Sequence, residues 1–220
     1  MGEAQYLVRC GLRLRAGQSA RGDAGGSRQL HGVDLVERLR ERLRSTRARD
    51  LPPHTYKRAA VLVPIFEAQG SAHLLLTKRT DKVEHHKGQI SFPGGGEEPG
   101  DTDLLDTALR ETYEEIGLAP SAVEIWGRLD ETETVVSGFA ITPFVGRIPP
   151  PEGLRPNPNE IDQIIIVPLA VFLDPAQRRV ERVVRDGQEW ELIFFDYPPH
   201  VIWGATARII ASMVRVLGDS

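Results

Sequence analysis

Glu111, Glu114 and Glu115 are the residues whose types and spacing most directly imply chemistry in this 220-residue chain. The run Arg110-Glu111-Thr112-Tyr113-Glu114-Glu115-Ile116-Gly117 puts three carboxylates within five positions. At 3.6 residues per turn, Glu111 and Glu115 stand one turn apart with Glu114 beside them, so a helix projects all three from one side. Like charges at that spacing weaken a helix by roughly 0.2–0.5 kcal/mol, and the repulsion calls for an offsetting charge. A hard divalent cation bound through oxygen, Mg²⁺ or Mn²⁺, is the counter-charge such a cluster predicts.

The elements that must position these acids are readable on either side. Asp103 or Thr102 serves as N-cap, Asp106 adds negative charge to the first turn, and Gly117 supplies the left-handed stop with Leu118 folding back. The stripe Leu105, Ala108, Leu109, Thr112 and Ile116 is the face expected to be buried. Before the helix come the strand-like Gln89-Ile90-Ser91-Phe92 and the turn Gly94-Gly95. Further upstream, Lys78, Arg79, Lys82, His85, His86 and Lys87 place six cationic or protonatable groups in ten residues. A phosphate-rich substrate bridged to the carboxylates by metal would use both halves. The two histidines are not zinc ligands on this pattern, because the sole cysteine is Cys10 and no His-Cys spacing matches a zinc site.

The segment from Gly95 to Leu118 resembles the Nudix box, through Gly95, Arg110, Glu111, Glu114, Glu115, Gly117 and Leu118. It departs from the box at Asp101, where the first glutamate is expected, at one extra residue before Arg110, and at Thr112, where an apolar residue is usual. The extra residue occurs in some members of the coenzyme A branch and reads as a longer loop. Upstream, Leu75, Leu76, Thr77, Arg79, Thr80, His86, Gly88, Gln89, Ser91, Phe92, Pro93, Gly94 and Gly95 look like the additional motif of Nudix coenzyme A pyrophosphatases. The likeness continues through Thr142–Val145, Asn157–Glu160 and Ile202–Thr206, covering roughly residues 55–217.

The resemblance implies metal-assisted hydrolysis of a diphosphate, with Glu111 and Glu115 as principal ligands of Mg²⁺ or Mn²⁺ and the Gly95 carbonyl as a further one. Glu114 is either a third ligand or the group that positions the attacking water. Arg110 pairs with a neighbouring glutamate and orients it. Glu160 is the candidate general base, ahead of Glu131 and Glu133. Arg79, His86, Gln89 and Lys78 are the expected substrate-binding residues. The substrate implied is coenzyme A or a derivative, giving 3′,5′-ADP and (acyl-)4′-phosphopantetheine. A Nudix pyrophosphatase for ADP-ribose, dinucleotides or other nucleoside diphosphate derivatives is the nearest alternative. A non-catalytic Nudix-fold ligand sensor is the next, disfavoured because Glu111, Glu114 and Glu115 are all present.

Composition bounds the rest. A net charge of −4 argues against a general nucleic-acid binder, and no apolar run reaches the ~20 residues needed to span a bilayer. One cysteine excludes an intrachain disulfide framework and suits a reducing, cytoplasmic setting. A homodimer stays open. Residues 1–30, rich in Gly, Ser and Arg, are expected to be a poorly ordered extension; Glu3 and Asp23 count against an organellar presequence. Residues 31–50 are expected to hold an amphipathic helix and linker, with Leu35, Val36, Leu39 and Leu43 on one stripe packing on the domain. Residues 51–220 would be the Nudix domain.

Within it, Ala59–Phe66 and His73–Lys78 read as a hairpin closed by Gln69-Gly70-Ser71. Val123–Leu129, Thr134–Val136, Ile141–Ile148 and Ile164–Val167 read as strands, the last leading through Pro168 into a short helix. Val180–Arg185 and Glu189–Asp196 flank the Asp186-Gly187 turn, and an apolar helix runs over Val201–Leu217. Strands interrupted by helices predict a mixed α/β (α+β) sheet covered on both faces, in agreement with the α/β/α sandwich of the Nudix family.

Overall fold

The computed structural model describes residues 32–52, 56–81, 88–134, 138–185 and 188–218. The expected N-terminal extension, the Asp186-Gly187 turn and the cations Lys82, His85, His86 and Lys87 lie outside these residues.

Strand β1 (Lys57–Ala68) is the axis of the molecule. Its sequence alternates between two apolar faces, so both sides of the sheet must be covered. Val61, Val63 and Ile65 join one cluster, while Ala60, Leu62 and Phe66 point into clusters on the other side. A two-residue turn leads into β2 (Ser71–Arg79), which pairs with β1 antiparallel from Ile65↔Leu74 to Ala68↔Ser71. Beyond that point the two strands diverge and the chain fills the gap. β3 (Ile90–Ser91) pairs with β2, β4 (Gly94–Gly96) pairs with β1 over Ala59–Val61, and the Pro93 carbonyl between them accepts from Leu62 N–H at 2.9 Å. The glycine-rich loop is thereby part of the sheet. The strand expected over Gln89–Phe92 contracts to Ile90–Ser91, although the Gln89 carbonyl still accepts from Arg79 N–H.

The sheet is completed by β5 (Glu124–Arg128), β6 (Thr132–Glu133), β7 (Phe139–Arg147) and β8 (Ile161–Pro168). β7 runs parallel to β1 from Lys57↔Phe139 to Ile65↔Arg147, β5 and β6 pair antiparallel with β7, and β8 closes the far edge on β2. β6 (Thr132–Glu133) ends just before the strand expected over Thr134–Val136, of which Val135 and Val136 lie outside the described residues; the Thr134 hydroxyl accepts Phe139 N–H.

One face of this sheet carries α2 (Leu104–Ile116). The other carries α1 (Gly32–Ser45) and α4 (Gly204–Gly218), with α3 (Leu169–Leu173) after Pro168. Leu35, Val36, Leu39 and Leu43 of α1 are buried in the same cluster as Ile209, Ile210 and Met213 of α4, as the amphipathic stripe predicts. The C-terminal helix starts at Gly204 rather than Val201. Val201–Trp203 belong to β11 (His200–Trp203), which pairs with β10 (Gln188–Tyr197) and, through it, β9 (Arg178–Arg185) as a separate three-stranded sheet. The run Val201-Ile202-Trp203 is β-branched and aromatic, and only Ile202 is buried, which is strand alternation rather than a helical stripe. Among the described residues no helix is long and apolar enough to cross a membrane.

Leu39 is fully buried between the two helices of one layer. Leu39→Ala is expected to cost about 2–5 kcal/mol in denaturant unfolding; a loss under about 1 kcal/mol would show that α1 adds little to the core.

Candidate active site

α2 begins and ends where its sequence dictates. Asp103 caps it, its carboxylate accepting Asp106 N–H at 2.9 Å, and Gly117 ends it in the left-handed conformation. The face it buries differs from the expected stripe. Leu104, Thr107, Ala108, Thr112, Glu115 and Ile116 are inside, whereas Leu105 and Leu109 are only half-buried. The rotation carries one carboxylate into the protein. Side-chain exposure is 2 % for Glu115, 17 % for Glu111 and 53 % for Glu114, so the three acids share a side of the helix but not an environment.

Glu115 is held from two directions. Arg79 Nη1, at the end of β2, donates to Oε1 at 3.1 Å, and Gly94 N–H donates to Oε2 at 3.3 Å. Burial nevertheless pushes its pKa up to about 8; Arg79 and the Gly94 amide oppose the rise, while Glu111 and Glu160 add to it. Glu111 is also raised, again chiefly by burial, with Arg110 pulling down and Glu114 and Glu160 pushing up. The glycine loop lies against Glu111: a Cβ on Gly95 would sit 2.4 Å from Glu111 Cδ, and one on Gly94 would sit 2.3 Å from the Ala60 carbonyl oxygen. At Gly94 and Gly95 only a residue without a side chain lets the chain pass between β1 and α2.

Arg110 joins loop and helix. Its Nε donates to Asp101 Oδ1 at 2.7 Å, Nη2 to Asp101 Oδ2 at 3.1 Å and to the Gly96 carbonyl at 3.2 Å, and Nη1 to Glu111 at 2.9 Å and Glu114 at 3.4 Å. Asp101 also accepts from Glu98 N–H and the Thr107 hydroxyl. The Arg110 guanidinium and these donors hold its carboxyl well below the usual range. Asp101 is therefore an anchor for the loop, and a carboxylate one carbon shorter than glutamate reaches Arg110 across a loop one residue longer.

Glu160 reaches the same region from a distant loop. Asn157 N–H donates to the Glu115 carbonyl and Arg155 N–H to the Ile116 carbonyl, so this loop caps the end of α2. Thr80 N–H donates to the Glu160 carbonyl, and Asn157 Nδ2 to its carboxylate at 3.1 Å. Glu131 and Glu133 are engaged elsewhere. Glu131 accepts from Leu51 N–H and the Thr142 hydroxyl, and Glu133 from the Tyr56 hydroxyl. Lys78 pairs with Asp162 at 3.3 Å rather than with the acids of α2.

The donor chemistry fits a hard divalent cation: carboxylate oxygens of Glu111 and Glu115, with Glu160 close enough to raise both, in a glycine-lined recess. As the side chains stand, with Arg79 and Arg110 on the carboxylates, no three His, Cys, Asp or Glu side chains gather closely enough to enclose an ion among the described residues. Among the described residues the buried Nε of Arg79 has no hydrogen-bond partner, a donor suited to an anionic oxygen. With cation chelated, a carboxyl raised from 4.5 to about 8 contributes stability below pH 4.5 that is lost as pH rises through about 8. Urea unfolding of wild type and Glu115→Gln in chelator should therefore show the wild type losing ground to the variant between pH 5 and 8; parallel pH curves would refute this.

A family model described as the NUDIX domain matches residues 56–186, more than half of the chain. A Nudix hydrolase NudL from Photorhabdus laumondii is 38% identical over 159 residues, covering 72% of this chain and 84% of its own. The human mitochondrial coenzyme A diphosphatase NUDT8 is 38% identical over 162 residues, covering 72% of this chain and 69% of its own. Among solved structures, a MutT/nudix family protein from Enterococcus faecalis superposes with a TM-score of 0.52 at 15% identity, over 89% of this chain and 76% of that one, a likeness of fold. Nudix hydrolases generally use divalent cations such as Mg²⁺ or Mn²⁺. The chain therefore belongs to the Nudix hydrolase family, pyrophosphohydrolases acting on phosphoanhydride bonds.

Proposed function

We propose that the chain hydrolyses the diphosphate bond of coenzyme A or its acyl derivatives, releasing 3′,5′-ADP and (acyl-)4′-phosphopantetheine. The observation that carries this reading is the contact between Arg79 and Glu115. Arg79 belongs to the motif that resembles the coenzyme A branch, and it reaches the most buried carboxylate of the box. The identity to human coenzyme A diphosphatase supports the same substrate.

On this reading Glu111 and Glu115 hold Mg²⁺ or Mn²⁺, with Glu114 and the Gly95 carbonyl completing the set. The cation would neutralise the diphosphate and acidify the attacking water. Arg110 fixes Glu111 relative to the loop through its five contacts. Arg79 holds Glu115 and offers its Nε–H, without a partner among the described residues, to a phosphate oxygen. Lys78, Gln89 and His86 complete the substrate-binding set. Glu160 takes the water proton, since it bears on both Glu111 and Glu115 whereas Glu131 and Glu133 serve as structural acceptors.

Three variants separate these roles. Glu111→Gln should lose Mn²⁺ binding, read by water-proton relaxation, together with about 100-fold or more in kcat. Glu160→Gln should keep Mn²⁺ binding and lose about 100-fold in kcat, while Glu131→Gln changes kcat little. Normal turnover by Glu160→Gln would remove it as the base. The substrate itself is tested with coenzyme A, acetyl-coenzyme A, ADP-ribose and NADH under Mg²⁺ and Mn²⁺. Release of 3′,5′-ADP from the first two, with slower turnover of the others, is the expected outcome; rapid ADP-ribose hydrolysis without coenzyme A turnover would refute the assignment.

A further inference from the structure

A cavity of about 500 Å³ opens beside Glu111. Its other walls are Lys57, Arg58, Gly96, Glu97, Glu98 and Phe139. Their chemistry is not that of the carboxylate recess. Lys57 and Phe139 begin β1 and β7 and are direct partners in the parallel ladder, so their side chains rise from the same face. The Lys57 ammonium stands 5.8 Å from the Phe139 ring centroid. Among the described residues it meets no carboxylate, whereas Arg58 beside it is paired with Glu97 at 3.3 Å. The cavity thus joins one cation with no carboxylate partner among the described residues, one half-buried aromatic ring and a direct opening onto Glu111.

We propose that this cavity binds the nucleoside end of the substrate, an aromatic base stacked on Phe139 with a phosphomonoester on its ribose held by Lys57. The inference rests on the coenzyme A reading for its substrate and adds which half of that substrate goes where. Volumes of about 300–1,000 Å³ are usual for small-molecule sites, and a nucleoside bisphosphate falls within that range. Stacking of a base on an aromatic side chain contributes about 1–3 kcal/mol. The pantetheine arm has neither a π face nor a charge to offer Phe139 and Lys57, so the chemistry of the walls selects the nucleotide half. Glu97 does not cancel the attraction, because Arg58 already neutralises it, and Glu98 is exposed on the rim, where solvent screens its charge. Gly96 leaves the ring open, since a Cβ there would stand 3.8 Å from Phe139 Cε1.

Calorimetric titration of the full chain with 3′,5′-ADP, AMP and 4′-phosphopantetheine reads this site without turnover. The bisphosphate should bind about tenfold or more tighter than AMP, the worth of one charge-assisted contact. Lys57→Ala should erase that preference and Lys57→Arg restore most of it, while Phe139→Leu should weaken both nucleotides together. An unchanged preference in Lys57→Ala, or displacement of the bisphosphate by 4′-phosphopantetheine, would overturn the proposal. Coenzyme A turnover by the same preparations separates it from the reading beneath it. Lys57-dependent binding without coenzyme A hydrolysis removes only the substrate assignment; hydrolysis with Lys57-independent binding removes only this site.

Discussion

The burial of one carboxylate governs how this molecule is put together. A carboxylate taken out of water is costly unless donors meet it, and among the described residues Glu115 finds two, from Arg79 and the Gly94 amide. Those two donors come from elements far apart in sequence, so satisfying one side chain fixes the end of β2, the glycine loop and α2 relative to each other. The loop that follows the helix is fastened at the same place, through the carbonyls of Glu115 and Ile116. Local structure, packing and electrostatics meet at a single residue.

The acids of α2 then form a gradient rather than a uniform edge. Glu115 is enclosed, Glu111 half-enclosed and bonded to Arg110, and Glu114 open to solvent. Burial raises the proton affinity of Glu115 and Glu111 against the opposing pull of Arg79 and Arg110. Asp101 marks the opposite extreme, held ionised by Arg110 and two further donors. Arg110 thus mediates between an acid that belongs to the scaffold and the acids on the helix.

Much of this was legible in the chain. The caps of α2, the first hairpin, the α1 stripe and the parting of apolar residues onto two faces follow from short-range rules that act within a few residues. The inward turn of Glu115 did not follow, because periodicity sorts residues by polarity and assigns a glutamate to the outside; an arginine 36 positions earlier changes that assignment. The fate of Val201–Trp203 was lost for a related reason, since an apolar run before a helix extends that helix unless a partner strand is known. Asp101 was visible as a departure from a motif that Arg110 matches, but their mutual bonding required the fold. Lys57 and Phe139 carried no signal at all: the parallel pairing that brings them together joins residues some eighty positions apart.

Helix α1 has a consequence for where this enzyme begins. Four of its side chains complete the layer under β1, and its Leu43 abuts Gly127 of β5 closely enough that a Cβ there would lie 3.3 Å away. The stretch shared with relatives by the family model starts only at residue 56. The boundary drawn by common chemistry and the boundary drawn by a dry interior are therefore different lines. A fragment trimmed to the first would keep every acid of the box and yet leave a greasy floor open to water.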